Sequence, residues 1–169
     1  MQQIRYTIAD INQMNEDTFV STFGELFEQT PAIAHTVYHH HPFTSLEALY
    51  DAISHTVKSL EPEAQLAFIR AHPDLGSKAK MADASVQEQQ GAGLNQLTPK
   101  EFERFTRLNQ TYKSTFGFPF IIAVRNHTKD SILEAFEQRL QNSAEQERDR
   151  ALQEIIQIAK FRLSDRVEV

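Results

Sequence analysis

The chain has 169 residues, of which 40% are hydrophobic and 24% charged, with a formal charge of −6 at pH 7. This size suits one domain (residues 1–169) with a core that needs no disulfide or metal for stability. The acidic charge argues against a nucleic-acid partner, which needs a concentrated basic surface, and the lack of cysteine excludes disulfides, thiol nucleophiles and cysteine zinc sites.

Helical spacing and helix-start signals dominate the first half of the chain. Asn15 is a candidate helix start, and apolar residues follow it on one face at Phe19, Phe23, Leu26 and Phe27. Three more helices are predicted: from Pro31 to about His40, where Pro42 stops the helix; from the capping box Thr44-Ser45-Leu46-Glu47; and from Pro62 to His72-Pro73.

The second half begins with the least regular part of the chain, residues 73–97, which we expect to contain one short helix around Ser85 to Gln90. Thr98-Pro99-Lys100-Glu101 combines a cap, a first-turn proline and a glutamate, and it predicts a helix to about Thr115. The apolar run from Phe116 to Val124 is interrupted by glycine and proline, and periodicity does not decide whether it is helical or extended. Two last helices are predicted at Lys129–Gln141 and from Ser143, with Gln146 three residues on.

These elements predict an all-α fold, a single-domain bundle of about seven to eight helices with an irregular segment in its middle. Long irregular segments in compact domains are often functional. No apolar run reaches membrane-spanning length, and the N-terminal residues lack the apolar stretch of a signal peptide. We therefore expect a cytoplasmic protein that binds neither membrane nor nucleic acid.

Four of the seven histidines cluster near the end of the second predicted helix, at His35, His39, His40 and His41. His35 and His39 are four residues apart and share a helix face, a spacing found in zinc sites. The alternative is a solvated helix end, where imidazolium groups suit the negative end of the helix dipole. We favour the second interpretation because the run offers no third ligand. His55 and His127 stand alone and are interpreted as surface or structural residues.

His72 differs from these histidines because it sits at a helix end and is stiffened by Pro73. Histidine titrates near neutral pH and can both accept and donate a proton. A histidine that only caps the helix would have the same sequence position. From this residue alone, the catalytic and the capping interpretations are equally supported.

Two further segments carry candidate site residues. Ser85-Val86-Gln87-Glu88-Gln89 brings a hydroxyl, a carboxylate and an amide within about one helical turn, although Ser85 and Glu88 also fit a capping box. Gly91-Ala92-Gly93 then ends the turn and allows close backbone approach. The run from Phe116 to Val124 is either plain core or a pocket wall whose backbone groups bind a polar ligand.

Taken in order, these segments resemble the 2-oxo-4-hydroxy-4-carboxy-5-ureidoimidazoline (OHCU) decarboxylases of uric acid breakdown. The similarity rests on Ala71-His72-Pro73-Asp74-Leu75-Gly76, on Ser85 to Gln89 with Gly91-Ala92-Gly93-Leu94, and on Phe116-Gly117-Phe118-Pro119-Phe120-Ile121. The similarity extends to Pro31 through Phe43 and to Ile158 through Leu163. Together, these segments span nearly the whole chain. The resemblance implies an all-helical, cofactor-free, homodimeric enzyme that acts on OHCU and yields (S)-allantoin.

The resemblance also implies which residues form the site. His72 corresponds to the family's catalytic histidine, and we assign Glu88 a catalytic role beside it. Substrate binding falls on Pro73, Ser85, Gln89, Phe120, Ile121, Ile122, Ala123, Val124 and Arg162, and no metal ligand is implied.

The chemistry of decarboxylation suggests roles for three of these residues. His72 would handle a proton at the substrate hydroxyl or at the new carbanionic carbon. Glu88 would orient His72, tune its basicity or lie near the leaving carboxylate. Arg162 would bind a ureido or ring carbonyl, because a clamp on the leaving carboxylate would stabilise the substrate more than the transition state.

Two other classes of function are alternatives. A metal-dependent ureide hydrolase would use His35 and His39 and would contain zinc. A non-catalytic helical interaction domain would dock a partner on a phenylalanine-rich face, and it predicts a large exposed apolar patch.

Overall fold

The structure, a computed structural model, describes residues 4–27, 30–75 and 88–168. Its helices are α1 (Ile8–Asn12), α2 (Glu16–Phe23), α3 (Ala32–Tyr38), α4 (Leu46–Lys58), α5 (Pro62–Arg70), α6 (Pro99–Phe116), α7 (Lys129–Arg139) and α8 (Ala144–Ser164). Residues 88–91 are also helical, and short 3₁₀ turns cover Gly24–Leu26, Leu94–Gln96 and Val124–Asn126. The predicted all-α fold is confirmed.

Side-chain caps begin three of these helices where the sequence predicts them. Asn15 caps α2, and complete capping boxes with Thr98 and Ser143 begin α6 and α8. The predicted box at Thr44 is wrong by one residue, because Ser45 caps α4 and accepts from the Ala48 N–H. Helix α1 is not predicted, since a five-residue helix with one buried apolar residue shows no periodicity.

Helix α8 runs through the centre of the bundle and packs against α4, α5 and α6. The core around it is rich in phenylalanine, and the rings of Phe120 and Phe136 stack with their centroids 3.8 Å apart. The two ends of the described chain meet, and Tyr6 and Val167 form an isolated parallel β-bridge there.

The apolar surface within the described ranges is small. Ile4 and Phe102 are the exposed large hydrophobic residues there. This finding argues against the interaction-domain alternative, which requires a continuous apolar patch. Among the same residues, no helix is long and apolar enough to cross a membrane.

The segment after α6 settles the ambiguity that its sequence leaves. Gly117 ends the helix with φ +82°, a left-handed conformation that favours glycine, and residues 118–123 are not helical. Arg70 Nε at the end of α5 donates to the Gly117 carbonyl at 3.0 Å. This bond holds the end of α6 beside the end of α5. His72 follows the end of α5 by two residues.

Candidate active site

His72 lies just beyond the end of α5, and its ring is held by that helix. Its Nδ1 lies 3.0 Å from the carbonyl oxygen of Phe68, and a carbonyl can only accept, so Nδ1 carries the proton. In the neutral ring, Nε2 is then the nitrogen with the lone pair. His72 therefore caps a helix and also lines a pocket, so the two interpretations of its sequence position hold together.

Glu88 and Arg162 form an ion pair inside the same pocket. Arg162 Nη2 lies 2.8 Å from Glu88 Oε1, and Nε lies 3.0 Å from Oε2, which is a bidentate arrangement. Their side chains are 14% and 6% exposed. Arg162 Nη1 also donates to the carbonyl of Leu26 at 3.2 Å. No local sequence pattern predicts this contact, because the two residues are 74 positions apart.

Gln89 follows Glu88 on the helical stretch 88–91, and its side chain is buried where it lines the pocket. Gly93 ends this stretch with φ +84°, as expected of a glycine at a helix end. At Gly91, in contrast, a Cβ atom would meet none of the described atoms within 4 Å. Ser85 lies outside the described residues.

One wall of the pocket is the non-helical stretch Phe120–Val124, all of which is buried. Two of its backbone groups are bound from outside the pocket: the Ile121 carbonyl accepts from Arg139 Nη1 at 2.6 Å, and the Ala123 N–H donates to Glu154 Oε1 at 3.3 Å. The stretch is therefore core and pocket wall at once, so the two interpretations of this run are compatible.

The structure brings most of the predicted site residues to one pocket. Its lining includes His72, Pro73, Glu88, Gln89, Phe120, Ile121, Ile122, Ala123, Val124 and Arg162. The cavity between these residues is small, about 40 Å³. An apolar wall with a few polar groups that converge is the usual form of small-molecule sites.

Among the described residues, four that line the pocket were not predicted: Leu75, Arg125, Ile158 and Phe161. Ile158 and Phe161 share a face of α8 with Arg162, and this i, i+3, i+4 spacing is the signal that could have identified them. Arg125 directly follows the wall segment. Its guanidinium lies 5.0 Å from the Phe161 ring centroid and makes a two-point ion pair with Asp165.

The histidine cluster lies on a different surface. His35 Nδ1 lies 3.0 Å and His39 Nε2 3.5 Å from the same carboxylate oxygen of Glu16, at exposed positions. The hydrogen bond with His35 is the main cause that lowers the pKa of Glu16. Within the part of the chain that the structure describes, no group of three or more His, Cys, Asp or Glu side chains is arranged to hold a metal.

The helical fold and this pocket define a small-molecule-binding protein whose polar groups are suited to proton transfer. The family model described as OHCU decarboxylase matches residues 12–164. The 2-oxo-4-hydroxy-4-carboxy-5-ureidoimidazoline decarboxylase of Halalkalicoccus jeotgali is 40% identical over 161 residues, which are 95% of this chain and 92% of that protein. The chain therefore belongs to the OHCU decarboxylase family.

Two solved structures share the fold. A crystal structure of (S)-allantoin synthase superposes with a TM-score of 0.79 at 29% identity and is matched by 96% of this chain. This chain spans about half, 54%, of the length of that one. A crystal structure of OHCU decarboxylase in the presence of (S)-allantoin superposes with a TM-score of 0.69 at 25% identity, over 89% of this chain and 96% of that one.

Proposed function

We propose that this protein removes CO₂ from OHCU and yields (S)-allantoin in uric acid degradation, by acid–base catalysis without a cofactor. One observation carries the proposal: in a member of the OHCU decarboxylase family, His72, Glu88, Gln89, Arg162 and the wall Phe120–Val124 line the same pocket. The protein works as one domain in this proposal, with the pocket as its active site.

The reaction needs a sink for electrons and a source of one proton. When the bond to the carboxylate breaks, CO₂ leaves and the electron pair passes into the imidazoline ring. A ring carbon must then gain a proton on one face to give a single enantiomer. His72 is suited to this step, because its Nδ1–H is bound to the Phe68 carbonyl. Nε2 can therefore take the proton of the substrate hydroxyl, which becomes a carbonyl, and pass that proton to the ring carbon.

The ion pair supports a refined role for Glu88 and Arg162. Two nitrogens of the Arg162 guanidinium bind Glu88, and a third binds the Leu26 carbonyl. Arg162 is therefore poorly placed to clamp the leaving carboxylate, which would stabilise the substrate and slow the reaction. We assign Arg162 to a neutral carbonyl of the substrate, and we assign Glu88 the task of fixing that guanidinium.

The remaining contacts would position the rest of the substrate. Gln89, together with Ser85, is assigned to the ureido group. The backbone of Phe120–Val124 is assigned to the polar edge of the ring. In the described part of the chain, the N–H and C=O of Ile122 make no hydrogen bond although the residue is 4% exposed, which suits a ligand that supplies those bonds.

A homodimer in the cytoplasm completes the proposal. The homodimer rests on the resemblance to the family, and the cytoplasmic location is the expectation from the sequence stated above. Sedimentation equilibrium would test the assembly, and a mass of twice 19.4 kDa is expected. A mass of 19.4 kDa at micromolar concentration would contradict the dimer.

The decisive experiment adds the purified protein to OHCU freshly generated by urate oxidase. We expect rapid loss of OHCU, and circular dichroism should show (S)-allantoin, since protonation on a protein is confined to one face. Racemic product formed at the uncatalysed rate would contradict the proposed function.

The substitution His72→Asn tests the proposed proton transfer within that assay. The Asn amide N–H retains a donor for the Phe68 carbonyl, whereas the nitrogen at the Nε2 position is lost. We expect kcat to fall by about 10²–10⁴-fold with little loss of stability. Turnover by His72→Asn at the wild-type rate would refute the role of His72.

A further inference from the structure

Behind the pocket wall lies a buried ion pair that the proposed reaction steps do not use. Arg139 is the last residue of α7, and Glu147 lies in the first turn of α8. Arg139 Nε donates to Glu147 Oε1 at 2.8 Å, and the two side chains are 7% and 0% exposed. Their positions suit their charges, because a cation is favoured at a helix C-terminus and an anion at a helix N-terminus.

The guanidinium of this pair also reaches the pocket wall. Its Nη1 donates to the Ile121 carbonyl at 2.6 Å, and its central carbon lies 4.4 Å from the ring centroid of Phe120. On the other side, the Glu147 carboxylate accepts from Tyr112 Oη at 2.5 Å and from Asn142 Nδ2 at 2.9 Å. The pair therefore connects α6, α7 and α8 with two consecutive residues of the wall.

Stability alone does not explain such a pair. The desolvation of two buried charges offsets most of their attraction, and apolar residues of similar volume often stabilise a fold as well. Arg139 Nη2 is in addition buried without a hydrogen-bond partner among the described residues, which is a further cost. Two apolar residues in these positions could not donate a hydrogen bond to the Ile121 carbonyl, whereas Arg139 does.

We propose that Arg139, held by Glu147, is a positioning residue that aligns the Ile122 backbone for the substrate. This inference rests on the function proposed above. Arg139 binds the Ile121 carbonyl, and the Ala123 N–H is bound by a second carboxylate on α8.

The geometry of an extended chain explains how bonds to Ile121 and Ala123 orient the backbone groups of Ile122. Ala123 has extended backbone angles, φ −74° and ψ 95°. In extended backbone the polar groups of alternate residues point to the same side, so Ile121 and Ala123 are engaged together on one side. The N–H and C=O of Ile122 then point to the opposite side, where the ligand binds.

The first test compares Arg139→Lys with Tyr112→Phe. Lysine retains the charge opposite Glu147, but it cannot bind Glu147 and the Ile121 carbonyl with two fixed nitrogens. We expect KM for OHCU and Kd for (S)-allantoin to rise about tenfold with kcat nearly unchanged, since a misaligned Ile122 backbone would bind the ground and transition states less well by the same amount. Tyr112→Phe removes a donor to the same carboxylate, so we expect a lower Tm and an unchanged KM.

A second variant and a second measurement separate positioning from folding. The double variant Arg139→Met/Glu147→Gln leaves no unpaired buried charge, so we expect it to fold with a Tm near that of the wild type and still to show the raised KM. The ¹H–¹⁵N signal of Ile122 should shift in both Arg139 variants and not in Tyr112→Phe. An unmoved Ile122 signal, or wild-type KM in the folded double variant, would overturn the inference. Wild-type protein that does not turn over OHCU would refute the proposed function instead.

Discussion

The polar groups of the pocket are held by partners within the protein itself. His72 is bound to the Phe68 carbonyl, Glu88 to Arg162, and Arg125 to Asp165. Such groups have little freedom left to lose when a substrate binds. In a site with an apolar wall, polar groups fixed in advance stabilise developing charge more strongly than groups that must reorient.

The Glu88–Arg162 pair leads to a prediction about stability. Glu88→Gln preserves the shape of the side chain but leaves a buried guanidinium without its counter-charge. We expect the free energy of unfolding to fall by about 3 kcal/mol and kcat/KM to fall with it. Urea unfolding and the OHCU assay would measure the two effects.

The matched control is Glu25→Gln. Glu25 pairs with Arg166 at 3.4 Å, but its side chain is 74% exposed. An exposed ion pair contributes little to stability, so the free energy of unfolding of this variant should fall by less than about 1 kcal/mol. Equal losses at Glu25 and Glu88 would show that burial does not govern the strength of the pair.

At the residue scale, the sequence predicted the members of the site better than the contacts between them. His72, Glu88 and Gln89 stand in local motifs, where residue type and spacing carry the information. The contact between Glu88 and Arg162 depends on how α8 packs in the bundle, which no local pattern encodes. Arg139 was missed for a similar reason, since its contact with Ile121 depends on the turn between α7 and α8.

At the scale of elements, α6 holds the chain that follows His72. The buried side chain of Asn109 donates from Nδ2 to the Leu75 carbonyl at 2.9 Å. One turn later, Lys113 Nζ lies 3.3 Å from Asp74 Oδ2. Helix α6 thereby fixes the two residues that come directly after His72-Pro73.

Asn109→Leu tests this tether. Leucine has a similar volume but no donor, so the Leu75 carbonyl loses its buried partner. We expect a loss of about 1–2 kcal/mol in the free energy of unfolding and a lower kcat/KM, because the chain beside His72 is less restrained. Chemical unfolding and the OHCU assay would report both quantities.

The comparison variant on the same helix is Lys113→Met. In the ion pair between Lys113 and Asp74, the side chains are 49% and 30% exposed, respectively. We therefore expect the free energy of unfolding to change by at most about 0.5 kcal/mol. If both variants matched the wild type in stability and kcat/KM, α6 would have no part in holding the site.

Helix starts were predictable because a cap is a local interaction. Thr98 with Glu101 and Ser143 with Gln146 are each three residues apart, and the structure shows the predicted hydrogen bonds. The start of α4 was displaced by one residue because Thr44 and Ser45 offer equivalent hydroxyls. Short elements such as α1 carry too few apolar residues for a period to be recognised.

At the scale of the whole molecule, aromatic packing joins the site to the bundle. Tyr112 lies where α6, α7 and α8 meet, with the rings of Phe120 and Phe136 at centroid distances of 5.2 and 6.4 Å. Phe120 in turn lines the pocket. Deformation of this centre would therefore reach the pocket wall directly, because tightly packed interiors transmit strain.

The buried phenol of Tyr112 makes the stability of the whole molecule depend on alkaline pH. Burial, reinforced by the hydrogen bond to Glu147, raises the pKa of Tyr112 well above its ordinary value of 10.0. The unfolded chain thus loses this proton at lower pH than the folded protein. The stability that follows from the shift is fully present below pH 10 and is lost as the pH rises further.

We therefore expect the free energy of unfolding to fall above pH 10 with a contribution from Tyr112 of up to about 1.4 kcal/mol per pH unit. Tyr112→Phe, although less stable at pH 7, should show a shallower decline over pH 10–11.5 in urea unfolding. In the wild type, absorbance at 295 nm should show that Tyr112 ionises together with unfolding rather than before it. Parallel declines for the two proteins would mean that Tyr112 ionises in the folded state as easily as in the unfolded chain, and that the core around it admits water.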